Sequence, residues 1–227
     1  MRSVYVTCGP YTAPSATNIR TATSIATGTV TLNGSLYSST TGIATLDKPR
    51  RVLFTSAGND SGITFTVTGT DWNNMPVSEV VTGANATTTY TVYDFKTVTS
   101  VVSSGASAGT VSIGTNGVAS SRPVFLDTYA DSSTYIQTDT GGSSAITYTI
   151  QLSGDNPNNA QIGIGTDGYV NARWINSGTA ALVSATSSQN ANQSGVSTMI
   201  RVLISNAGSN TSAAVQTNFN QSGMVAL

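Results

Sequence analysis

The chain has 227 residues, enough for one large β domain or two domains of about 100 residues each. Charged residues make up only 8% of it, about a third of the usual share near 25%, and nine basic residues stand against ten acidic ones. No basic tract exists beyond Lys48-Pro49-Arg50-Arg51, so the clustered cations that neutralise nucleic-acid phosphates are missing. No apolar run approaches the ~18 residues needed to span a bilayer. Neither nucleic acid nor membrane is expected as a partner.

Met1 to Ile19 carries Pro10 and Pro14 among small polar residues and reads as an extended N-terminal arm, either a disordered terminus or a segment that orders against a neighbouring subunit. Strand signals then follow at Ser24–Leu32, Arg51–Ser56, Ile63–Thr68, Val77–Val81, Thr89–Phe95, Val98–Val102 and Thr110–Ile113. The run Ile63–Thr68 alternates strictly, with Ile63, Phe65 and Val67 on one face and threonines on the other. Clusters of Gly, Asn and Asp punctuate these segments and supply turns. The aperiodic stretch Gly114–Pro123 reads as a domain boundary. Beyond it, strands are predicted at Val124–Tyr129, Thr134–Gln137, Ala145–Leu152, Gln161–Ile164, Tyr169–Trp174, Ala180–Ser184, Val196–Ile204 and Ala213–Phe219.

The fold class expected is all-β: an arm over residues 1–19, then two β-sandwich or barrel domains of jelly-roll type over 20–118 and 119–227. Long fixed-period repeats are absent, which argues against a fibre shaft, and heptads are absent too.

The chemistry on offer is sparse. There is no histidine and only one cysteine, Cys8, so Ser-His-Asp and Cys-His constellations, His-based metal sites, Cys-ligated zinc and an intrachain disulfide are all excluded. Paired carboxylates remain conceivable, as in a glycosidase. Yet Asp60, Asp71, Asp155 and Asp167 all stand in turn contexts, where an aspartate bonds its own backbone. Asp71 with Asn73 and Asn74, or Asp155 with Asn156 and Asn158, offer oxygens to calcium without matching an EF-hand. No cofactor is expected. The candidate interface residues are Arg2, Tyr5 and Tyr11 in the arm, the pair Arg50 and Arg51, and Trp72 and Trp174, since aromatic and arginine side chains anchor interfaces.

The segment Arg50–Val101 resembles a module of virion-associated structural proteins of tailed, podovirus-like phages. The matching pieces are the hairpin Thr55–Asp71, the strand Val77–Asn85 and the aromatic strand Phe95–Ser100. Ile146–Asn159 and Ser197–Gly223 look like the companion β domain of the same proteins, while Trp72-Asn73-Asn74-Met75 departs from the pattern.

The resemblance implies a place on the exterior of a virion and brings no catalytic residue with it. The function expected is therefore non-enzymatic: a capsid decoration (cement) protein. It would act as a trimer or other symmetric oligomer and contact the major capsid protein or tail proteins. A tail fibre or tail-attached appendage is the nearest alternative. A carbohydrate- or receptor-binding module for a host glycan, carried by Trp72, Trp174 and Tyr129, is the alternative of another class.

Overall fold

A computed structural model describes residues 2–126, 133–141, 146–156, 172–194, 197–206 and 214–221. Among the described residues the chain is all-β, without an α-helix, and all strand pairs are antiparallel. The first half contains β1 (Arg2–Cys8), β2 (Ser15–Ser24), β3 (Gly28–Thr29), β4 (Tyr37–Ser38), β5 (Ile43–Arg50), β6 (Val52–Ser56), β7 (Thr64–Thr70), β8 (Pro76–Thr82), β9 (Thr88–Tyr90), β10 (Phe95–Ser103) and β11 (Thr110–Thr115). The second half adds β12 (Ala119–Ser120), β13 (Val124–Phe125), β14 (Ser133–Asp139), β15 (Thr147–Ser153), β16 (Ile175–Asn176), β17 (Gln189–Ser194), β18 (Met199–Asn206) and β19 (Val215–Gln221).

These strands form four open sheets, none closed into a barrel, and the chain divides into two compact units. An inner unit spans Pro14–Gly117; a split unit joins Met1–Ala13 to Val118–Leu227. The segment expected to be an extended arm is instead built into sheets of its own chain at both of its ends. Arg2–Cys8 pairs residue for residue with β19 of the same chain, from Arg2 opposite Gln221 to Cys8 opposite Val215. Ser15–Ser24 pairs with β11. The physical reason is the Val4/Val6/Cys8 alternation, which gives β1 an apolar face that joins the core. The passage between units after Gly117 falls inside the aperiodic Gly114–Pro123 stretch.

In the inner unit one sheet runs β4-β5-β10-β7-β8, with β3 also on β10, and the other runs β2-β11-β6-β9. Val52, Phe54, Val111 and Ile113 from one sheet and Phe65, Val67, Val98 and Val101 from the other lie in a single apolar cluster, all of them fully buried. Each such side chain stabilises the fold by about 1.5–3 kcal/mol of transfer free energy. Gly69 is required where β7 passes β10: a Cβ there would collide with the Thr97 carbonyl oxygen, beside a register shift between Val98 and Ser100.

In the split unit one sheet runs β1-β19-β14-β17 and the other β12-β18-β15-β16, with β13 also on β18. Ile146, Tyr148, Ile150 and Leu152 share a core with Ile200, Val202 and Ile204, and with Ile136, Val215 and Phe219. The apolar strand β18 is interior to its sheet, as its composition predicts. Ala180–Leu182, expected as part of a strand, forms a 3-10 turn that buries Leu182. The expected strand Gln161–Ile164 and residues 169–171 of Tyr169–Trp174 lie outside the described residues, and Ala172–Trp174 is not in a strand.

Candidate functional site

Two of the seven expected interface residues are interior. Tyr11 is 1% exposed, and its hydroxyl lies 3.2 Å from the Cys8 sulfur in the split unit's core. Arg50 is also 1% exposed; its Nε and Nη2 both donate to Asp47 Oδ1, and its Nη1 donates to the Asn116 carbonyl. A cation so placed acts on its own unit. The sequence hid this because Asp47, three residues upstream, serves as its counter-ion only once β5 folds.

The others divide. Tyr5 is exposed on β1, while Arg2 contributes its backbone to that strand and its side chain lies outside the described residues. Arg51 is mostly covered, with Nε 4.0 Å from Asp94 and its guanidinium over the Tyr90 ring at 5.8 Å. Trp72 and Trp174 are half-buried. One face of the Trp174 ring is taken by the Arg201 guanidinium, 4.2 Å from the ring centroid, and Arg201 in turn donates to Gln151 Oε1. That face of the Trp174 indole is therefore not open for stacking. Tyr129, the third aromatic of that reading, is outside the described residues.

The acids show where the ionisable chemistry goes. Asp71 Oδ1 accepts the backbone N–H groups of Asn73 and Met75, at 2.7 and 2.9 Å, and shapes the turn in which Asn74 adopts φ 61°. Asn74 Oδ1 meanwhile accepts from Lys96 Nζ. Asp60 Oδ1 accepts the Ala108 N–H, tying two loops of the inner unit. Glu79 spans the N–H groups of Val92 and Tyr93; burial raises its pKa, and those two backbone bonds pull the other way. Asp139 accepts from Gly141 N–H and Ser188 Oγ, and Asp155 from Arg173 N–H. With Asp47 and Asp94 in ion pairs, every described acid is engaged by its own unit. Among the described residues no three acids or cysteines gather as a metal site. Asn158 and Asp167 lie outside them.

No protein-family model matches the chain, and no curated protein matches it closely enough to count as a relative.

What the sequence did not disclose is an uncharged apolar row on the inner unit. On the outer face of the β10-β7-β8 sheet, Thr66 stands opposite Val80 on one side and Val102 on the other. Val80 is 62% exposed and Val102 40%. Val92 is 65% exposed, but its N–H is held by Glu79, which alternates with Val80 along β8 and points to the other side of the sheet, so Val92 is not part of this row. Alternation does signal an outward valine in Val77–Val81, but only strand register reveals that two of them flank one threonine.

Proposed function

We propose that the chain is a non-enzymatic structural protein of the exterior of a tailed-phage virion, acting as a capsid decoration (cement) protein. In this reading each unit is a two-sheet β-sandwich of jelly-roll type. The molecule self-associates as a trimer or other symmetric oligomer and seats on the major capsid protein.

The observation that carries the reading is the Val80–Thr66–Val102 row: exposed valines flanking a threonine, free of charge, on one face of a sheet. Solvated valines in register leave a surface whose burial is favourable, at about 25 cal/mol per Å² of apolar area removed from water. A shell of like subunits supplies that cover. The likeness of Arg50–Val101 to virion-associated proteins points the same way.

Adding the purified chain to particles stripped of it tests the reading. Saturable binding and a higher temperature of genome release are expected, both lost with Val80→Lys. Absence of binding to the particle contradicts it.

A further inference from the structure

The outer face of the β1-β19-β14-β17 sheet carries amides, hydroxyls and tyrosine rings in cross-strand rows. Its cross-strand rows are set by register. Tyr5, Asn218, Gln137 and Asn190 stand in one line. Ser3, Asn220, Tyr135 and Asn192 stand in the next. Two side chains on every strand of these two rows therefore point outward, while Val4, Ile136, Phe219 and Ala191 point to the core. Tyr5 is 60% exposed and Tyr135 40%. No lysine or arginine lies in either row.

We propose that this face binds a neutral oligosaccharide. A carboxamide carries an acceptor oxygen and a two-hydrogen donor side by side. Adjacent sugar hydroxyls each donate and accept, so one carboxamide engages a pair of them. Five carboxamides lie in the two rows, on strands about 4.8 Å apart. That of Asn218 is already turned: its Oδ1 accepts from Ser3 Oγ at 2.7 Å, which leaves Nδ2 to donate outward. The two tyrosine rings stand in neighbouring rows and supply the apolar contact that a pyranose ring's C–H face needs, with a hydroxyl at the wet end.

The charge pattern selects the ligand class. With no cation, the face lacks the means to hold a sulfated or sialylated chain or a nucleic acid. Asp139, the one acid near it, has its Oδ1 engaged by Gly141 and Ser188. Neither tryptophan belongs to the two rows, and the site stands whether or not the chain decorates a capsid.

The test is an array carrying neutral, sulfated and sialylated oligosaccharides, followed by titration of the best neutral binder into the full chain. Tyr5→Ala, Tyr135→Ala and Asn218→Ala are each expected to weaken binding about tenfold or more at unchanged melting temperature. Tyr135→Phe, which keeps the ring, and Trp174→Ala retain binding. Several results overturn the proposal: no neutral ligand on the array, preference for anionic chains, binding indifferent to the three face variants, or loss with Trp174→Ala. Sedimentation showing a self-associating chain that Tyr5→Ala turns monomeric also overturns it, because the face would then belong to a second copy.

Discussion

Phe54 on β6 and Phe65 on β7 stack with ring centroids 4.9 Å apart and planes 15° from parallel. The two strands belong to different sheets of the inner unit, so this pair joins the sheets at the centre of their common core. Either residue changed to Ala is expected to destabilise the inner unit by about 3–5 kcal/mol. The double variant should cost about 0.5–1.5 kcal/mol less than the sum, the coupling of an aromatic pair. Urea unfolding followed by fluorescence measures this, because Trp72 and Trp174 place one reporter in each unit. Strict additivity would mean that the rings do not interact.

Arg50 and Asp47 make a second test. The guanidinium side is 1% exposed and the carboxylate 19%. Asp47→Ala strands a buried cation and is expected to cost about 3–5 kcal/mol, whereas Arg50→Met removes the charge with its partner left near solvent and costs less. The order of the two unfolding free energies is the readout. Arg50→Met being the worse of the two would place the guanidinium's main role elsewhere.

Glu79 gives a pH signature. Burial raises its folded pKa above the unfolded value, so the folded chain holds this proton more tightly. Stability from this group is therefore greatest below the unfolded carboxyl pKa and declines as pH rises through the interval up to the folded one. Comparing wild type with Glu79→Gln isolates it: the difference in unfolding free energy should move against wild type as pH increases across that interval. A difference that is flat with pH, or of opposite slope, contradicts the assignment.

The N-terminal strand predicts a separate outcome. Removing residues 1–8 uncovers the edge of β19 and takes Cys8, Val4 and Val6 from the split unit's core. The Trp174 transition should move to lower urea while the Trp72 transition stays in place. Hydrogen exchange on the intact chain should show every second amide of β1, the set that faces β19, protected, which a free arm would not.

Alternation made the interior of this fold readable. Ile63–Thr68 and Ala145–Leu152 contain strands close to where their period places them, with Phe65, Val67, Tyr148 and Ile150 inside. Strands without an apolar period escaped. Gln189–Ser194 has Ala191 as its only apolar residue, and it forms because β14 offers a complete row of backbone partners. Ile43–Arg50 ends in Asp47, Lys48 and Pro49, a turn-like sequence that the Arg50 ion pair holds in a strand. Ser15–Ser24 turns Arg20 inward, where it donates to the Thr31 and Ser24 carbonyls, and burial lowers its pKa. Candidate interface residues were harder still, since Tyr5 and Tyr11 look alike in sequence and end respectively outside and inside the fold. The amide face could not be read at all without register, because its rows are assembled from four strands distant in sequence.

A reconstruction of the intact virion at side-chain resolution tests the central claim most directly. The account predicts this chain in symmetric copies on the outer shell, with Val80 and Val102 covered by neighbouring protein. Particles in which the chain holds no position, together with a purified monomer that turns over a surface polysaccharide, would contradict it.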